Sequence, residues 1–162
     1  MPAVLTTYNA VTNDAQANLR WGIRKGRWGL PRLPINCDTG TNFSWHVLGT
    51  KAKGLPHGPR APRNLWVTGK IDLYLFKVTT PLQEYAEPFW PDEVAAGKVI
   101  YPYRFDIALV SQATQIPTAF DDPIPEALSN GIRVGATGGP SIVSVSETQL
   151  EDLLAFMRRN NQ

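Results

Sequence analysis

One stretch constrains the fold of this chain more than any other, and it runs from Ile71 to Val110. Ile71-Asp72-Leu73-Tyr74-Leu75-Phe76-Lys77-Val78 is dense in β-branched and aromatic side chains and stops at Thr79-Thr80-Pro81, so it reads as a strand ended by a breaker. Tyr101-Pro102-Tyr103-Arg104-Phe105, running into Leu109-Val110, has the same character. Pro102 sits near its start, where a missing N–H does least harm to a strand ladder. Between these two strands lie Tyr85, Phe89 and Trp90, set among prolines. Each proline fixes its own φ and biases the residue before it toward extended geometry. Phe89-Trp90 is therefore expected to be a rigid aromatic platform and not a helix fragment.

The flanks add helices to these strands. Thr12-Asn13-Asp14 offers N-cap side chains, Ala15, Leu19, Gly22 and Ile23 recur at helical spacing, and Gly26 is a C′ stop, which predicts a helix from Asp14 to Lys25. Trp28-Gly29-Leu30-Pro31 is turn chemistry that fixes a large ring at a loop mouth. Phe43 to Leu48 reads as a strand with Phe43, Trp45 and Val47 on one face. Ser111 to Pro125 is polar and proline-punctuated, and Pro125 to Gly131 reads as one helical turn stopped by Gly131. Ser141 to Val145 reads as a short strand. Ser146 and Gln149 form a capping-box pattern ahead of Leu150, Leu153, Leu154 and Met157, so the chain closes with an amphipathic helix.

Length and composition set bounds on function. At 162 residues one domain is expected, with 14 Pro and 13 Gly favouring a loop-rich, strand-based chain over a helix bundle. No apolar run approaches bilayer-spanning length. The opening Met-Pro-Ala-Val-Leu-Thr-Thr lacks the basic region and long apolar stretch of a signal peptide. Cys37 stands alone, which excludes an internal disulfide and fits a reducing compartment, so a cytoplasmic protein is expected. The net charge of +2 hides an asymmetry: residues 1–80 carry eleven Lys/Arg against three Asp, a balance of +8, and the remainder carries five against eleven, a balance of −6. A basic face of that kind is a nucleic-acid footprint.

Catalytic chemistry is scarce. His46, His57 and Cys37 do not form a metal-ligand spacing, and the Gly135–Gly139 run lacks the lysine of a phosphate loop. Cys37 with His46 is a formal nucleophile–base combination, but a lone Cys and a lone strand His are far more often structural. Asp92-Glu93, with no basic partner in the local motif, reads as loop solvation or a base-edge acceptor. The chain is not expected to be an enzyme, and no cofactor or metal is expected. Aromatic residues are plentiful instead: five Trp and five Tyr, with Trp21, Trp28, Trp90 and Tyr101 placed at element ends and turns. Rings at loop mouths beside a basic surface suit an extruded base, and they also suit plugs for the ends of a small barrel.

Asn18-Leu19-Arg20-Trp21 followed by Gly26-Arg27-Trp28-Gly29-Leu30-Pro31, the Gly-Lys-Ile-Asp strand at residues 69–72, Pro88-Phe89-Trp90-Pro91-Asp92-Glu93 and Tyr101-Pro102-Tyr103-Arg104-Phe105 together resemble the EVE domain of the PUA-like superfamily. The nearest flavour is the version fused to modification-dependent restriction nucleases of the McrB and HNH kinds, and the family is related to YTH domains. The resemblance covers residues 13–110, with 111–162 as a strand–helix extension of the same single domain. It implies an α+β fold, a small curved β-barrel with flanking helices, which takes a flipped modified base into an aromatic cage.

Carried onto this chain, Trp28 with the Gly29 backbone forms one wall, Trp90 or Trp45 another, and Trp21 or Tyr101 closes the cage. Asp92, Asn36 and Asp38 are candidates for the base edge, while Arg24, Lys25, Arg27, Lys51, Lys53, Arg60 and Arg63 would follow the phosphates. The implied partner is duplex DNA carrying methylated or hydroxymethylated cytosine or N6-methyladenine. RNA is the alternative partner, and a small-molecule or protein interaction module the alternative class. No nuclease motif is present, so the resemblance makes the chain either the targeting module of a longer restriction enzyme or a free-standing reader. Asn36-Cys37-Asp38-Thr39-Gly40 stands where family members show Gly-Asp and a strand, and the 51–63 loop is long.

Overall fold

The computed structural model describes residues 2–9, 12–35, 37–53, 70–117, 126–135 and 139–160. Among these the order is β1 (Ala3–Asn9), α1 (Asn13–Lys25), β2 (Arg27–Leu30), β3 (Trp45–Lys53), β4 (Lys70–Val78), β5 (Gln83–Glu84), α2 (Pro91–Ala96), β6 (Tyr103–Pro117), α3 (Glu126–Gly135), β7 (Ser141–Ser144) and α4 (Glu147–Asn160). The strands form one sheet in the order β2-β6-β4-β3-β1-β7, with β5 paired to β6. β1 and β3 run parallel, and the remaining pairs are antiparallel. The architecture is α+β: a sheet curled into a half-barrel and flanked by helices.

The curl has a local cause in β6. Between the pairs Ile71↔Ile116 and Leu73↔Ala113, and again between Leu75↔Ser111 and Phe76↔Leu109, β6 carries one residue more than β4. Each such bulge bends its strand and increases the twist. The first residues of β6, Tyr103 to Asp106, pair with β2, and Ile107 onward pairs with β4, so one bent strand joins the two parts of the sheet. The stretch Ser111–Pro117, polar enough to look irregular in sequence, is the second half of this strand; pairing with β4 overrides its composition.

Side chains alternate across the sheet with period two. Val4, Val47, Leu73 and Leu75 face a core closed by Leu128 and Ile132 of α3 and by Leu150, Leu153 and Met157 of α4. Leu5, Leu48, Phe76 and Val78 face a second core with Leu19 of α1, Trp28 and Phe105. Phe43 departs from expectation, because β3 starts only at Trp45: it packs into the second core, its ring 5.0 Å from that of Phe105, and does not share the Trp45–Val47 face.

The local capping chemistry of α1 is as its sequence predicts. Thr12 Oγ1 accepts from the Ala15 N–H at 3.2 Å, and Gly26 ends the helix at φ 72° with its N–H bonded to the Gly22 carbonyl. Gly131 does not stop a helix. It lies inside α3, which runs to Gly135, and lets that helix approach Thr6 more closely than a Cβ would permit. The Pro88–Glu93 segment also differs in part. Phe89 and Trp90 stay outside helix, with Trp90 extended at φ −79°, ψ 158°, but Pro91 then opens α2. Proline is pre-organised for that first helical position.

Candidate functional site

Glu93 organises the site. Its carboxylate is fully buried, and Oε1 accepts the N–H groups of Phe89 at 2.8 Å and Trp90 at 3.1 Å. Oε2 accepts those of Ile100 at 2.7 Å and Tyr101 at 2.9 Å. Arg104, on β6, completes the arrangement with a guanidinium nitrogen 3.2 Å from Oε1, and its Nε donates to the Tyr101 carbonyl at 2.9 Å. Burial pushes the Glu93 carboxyl up, but the four backbone donors outweigh it and hold the pKa below the ordinary carboxylate value. A single side chain thus ties together the two segments that present Trp90 and Tyr101. The reading of Asp92-Glu93 as solvated or base-edge acceptors is corrected for Glu93, whose basic partner lies on a different element.

Trp90 and Trp28, 1% and 8% exposed, meet edge to face with ring centroids 6.4 Å apart. Tyr101 stands edge-on to Trp90 at 5.6 Å, and the Arg104 guanidinium lies 5.1 Å from the Trp90 ring centre. These rings, with Gly29, Asn9 and Asn18, line a pocket of about 60 Å³. Where one water needs about 10–15 Å³, that is room for about four to six waters, the scale of the edge of one planar ring. Gly29 is required here, since a Cβ would come 2.6 Å from Trp90 Cζ3. Trp28, Gly29, Tyr101 and Asn9 also wall a wider cleft of about 280 Å³, bounded further by Tyr8, Arg32 and Pro140. Asn9 belongs to β1 and Trp28 to β2, strands far apart in the sheet order, so both hollows lie where the curl turns those strands toward one another.

A hydrogen-bonded chain runs behind the pocket wall. Asn18 Nδ2 donates to Tyr101 Oη at 3.4 Å, and Tyr101 Oη donates to Asp92 Oδ2 at 2.6 Å. Asn18 Oδ1, Trp90 Nε1 and Asp92 Oδ1 are buried without a hydrogen-bond partner among the described residues. Buried polar atoms are ordinarily satisfied, so these three, on residues in or beside the pocket wall, are exceptions.

Of the expected cage residues, Trp28, Gly29, Trp90 and Tyr101 come together. Trp21 lines neither hollow: it packs edge-on against Phe89 at 6.1 Å, with Arg24 and Lys25 each 4.9 Å from its ring centre. Trp45 lines neither, because strand parity puts it against the other core, where Lys77 lies 4.6 Å from its ring. Asp92 does not line the pocket but holds Tyr101. Asp38 is exposed in a loop, its N–H bonded to Thr41 Oγ1.

Among the basic residues, Arg27 is engaged with Asp106 at 3.3 Å and lies over Tyr85 and Phe89. Lys51 and Lys53 fall at the end of β3. Asn36, Arg60 and Arg63 lie outside the described residues. Asn9, Asn18 and Arg32 are wall residues that sequence reasoning did not select. Asn18 had a signal in the Asn-Leu-Arg-Trp motif, whereas Arg32 had none beyond its charge.

His46 and Cys37 each have other surroundings. His46 is buried, stacked on Phe76 at 5.3 Å, and its Nε2 lies 2.7 Å from Thr7 Oγ1; burial pushes its pKa down to about 3. Burial and the neighbouring Asp38 raise the Cys37 thiol. A weakened base and a raised thiol are the reverse of what nucleophile activation needs. Among the described residues no group of three or more His, Cys, Asp or Glu is placed to hold a metal, and no helix is long and apolar enough to cross a membrane.

Fold and site together define an α+β protein whose curled sheet carries a small aromatic pocket beside a wider cleft. No protein-family model matches the chain, and no curated protein matches it at a significant level.

Proposed function

We propose that this chain is a non-catalytic reader of the EVE type within the PUA-like superfamily. It binds duplex DNA carrying methylated or hydroxymethylated cytosine, or N6-methyladenine, by taking the extruded base into the Trp28–Trp90–Tyr101 pocket. In this reading it serves as the targeting module of a modification-dependent restriction endonuclease whose nuclease is a separate domain. The observation that carries the proposal is the meeting of three rings and Gly29 around one hollow, with Asn9 and Asn18 on its wall. An extruded base needs flat apolar walls for its faces and polar partners for its edge, and stacking on aromatic side chains contributes about 1–3 kcal/mol per base. The narrow pocket suits the base edge. The wider cleft, with Arg32 on its margin, suits the attached sugar and phosphate.

The test is a panel of duplexes identical except for the central base, measured at one salt concentration by fluorescence anisotropy. One modified base is expected to bind at least about tenfold more tightly than its unmodified parent, a preference of about 1.4 kcal/mol. Trp90→Ala is expected to erase the preference and leave weak, salt-sensitive binding. Equal affinity for every duplex overturns the proposal, and tighter binding of single-stranded RNA in competition transfers it to RNA.

A further inference from the structure

The three rings of the site divide their places between the two hollows. Trp28 and Tyr101, with Gly29 and Asn9, line both the narrow pocket and the wide cleft, so they stand at the boundary the hollows share. Trp90 lines the narrow pocket and not the cleft. Its plane lies 77° from that of Trp28 and 82° from that of Tyr101, so it crosses both as the end wall of a slot. Several contacts keep this wall from receding. Its backbone N–H is held by Glu93 Oε1 at 3.1 Å, Phe89 stands edge-on to it at 4.9 Å, and the Arg104 guanidinium lies 5.1 Å from the ring centre. Its benzo edge presses on Gly29 so closely that no Cβ fits between them. The pocket it closes, about 60 Å³, has fewer water-sized places than cytosine or adenine has heavy atoms. A whole base cannot enter, whereas a methyl or hydroxymethyl group can.

Building on the base-pocket reading, we infer that Trp90 gauges the modification by size. The substituent of the extruded base ends against Trp90 in the narrow pocket, while the base ring stays at the boundary against Trp28 and Tyr101. The ligand class is a planar base whose inserted edge carries a substituent of a few heavy atoms at most. An unmodified base leaves a void against Trp90 and forfeits those contacts, and a bulky group meets a wall that cannot retreat. Recognition thus separates into a part that every base shares, at Trp28 and Tyr101, and a part that only the substituent supplies, at Trp90.

The experiment varies only the substituent. Duplexes carry, at one central position, cytosine with hydrogen, methyl, hydroxymethyl or glucosylated hydroxymethyl at C5. A second set carries adenine with hydrogen, methyl or benzyl on N6. For whichever set the protein prefers, affinity measured by fluorescence anisotropy is expected to rise from hydrogen to the small group and to fall at least about tenfold for the bulky one.

Trp90→Phe draws the wall back by one fused ring. It is expected to narrow the methyl-to-hydrogen ratio and to lessen the penalty on the bulky group, each by about threefold or more, with affinity for the unmodified duplex kept within about twofold. Tyr101→Leu, which removes a ring from the shared boundary, is expected to weaken every duplex by about one factor and to leave the ratios intact. A merely structural role for Trp90 would make Trp90→Phe behave in that second way. That result, or a glucosylated or benzylated base bound as tightly as the methylated one, overturns this inference alone. Should Trp90→Phe not fold, the size series on the unsubstituted protein decides by itself. Failure of every modified duplex to bind better than plain DNA overturns the base-pocket reading and this inference with it.

Discussion

The Glu93 carboxylate and the Arg104 guanidinium meet at 3.2 Å with side-chain exposures of 0% and 1%, one at the start of α2 and the other on β6. Buried ion pairs rarely add much over a well-packed apolar pair, yet removing one partner strands the other charge. This pair also holds the backbone on both sides of the pocket, through Phe89 and Trp90 on one oxygen and Ile100 and Tyr101 on the other. Its value therefore lies in position as much as in Coulomb energy.

Glu93→Gln keeps the shape and removes the charge. It is expected to destabilise the fold by about 3–5 kcal/mol, the usual cost of orphaning a buried partner. Urea unfolding followed by tryptophan fluorescence measures it, and a change under about 1 kcal/mol would show the pair to be dispensable. Because the folded Glu93 pKa is depressed, its contribution is present above the ordinary carboxylate pKa and is lost as pH falls through the folded value.

His46 gives a second, separable acid response. Its folded pKa of about 3 lies below the ordinary value of 6.5, so between those limits the unfolded chain binds the extra proton. Stability is expected to fall as pH drops below 6.5, by up to about 1.4 kcal/mol per pH unit from this group. His46→Phe, which preserves the stack on Phe76, is expected to flatten the slope between pH 6 and pH 5, where carboxylates contribute little. An unchanged slope in urea titrations at those two values would rule His46 out as its source.

Gly29→Ala is expected to affect the pocket more than the fold. The new methyl collides with the benzo edge of Trp90, and overpacking of this kind costs about 1–3 kcal/mol. Affinity for the preferred modified duplex should drop at least about tenfold, because the displaced ring is a pocket wall. Retained affinity in anisotropy titrations would show that Trp90 does not shape the binding surface.

Salt dependence separates the basic residues. Arg32 borders the wide cleft, whereas Arg27 is already paired with Asp106. Arg32→Ala is expected to lower the slope of log K against log salt by about one unit, and Arg27→Ala to leave it nearly unchanged. The opposite ranking would move the phosphate path to the Tyr85–Phe89 side of the molecule.

What could be read from the chain alone was the chemistry that acts within a few residues. Thr12 and Gly26 bound α1 because caps need only their neighbours, Ile71–Val78 makes a strand by its own side chains, and the Leu150–Met157 stripe marks α4. The ring-bearing turn at Trp90 was also visible, since its flanking prolines announce themselves locally, whereas Trp28, expected at a turn, lies inside β2 because pairing with Phe105 of β6 extends it. Which rings would meet was decided only by tertiary structure. The bulges in β6 curl the sheet, strand parity sends Trp45 to the opposite core, and Glu93 and Arg104 hold Trp90 and Tyr101 in place from separate elements. Asn18 and Asp92 are linked only because Tyr101 stands between them, a relation that spacing along the chain does not encode. Propensity and capping are short-range terms written residue by residue, whereas a pocket is the closure of distant segments under packing and buried hydrogen bonding.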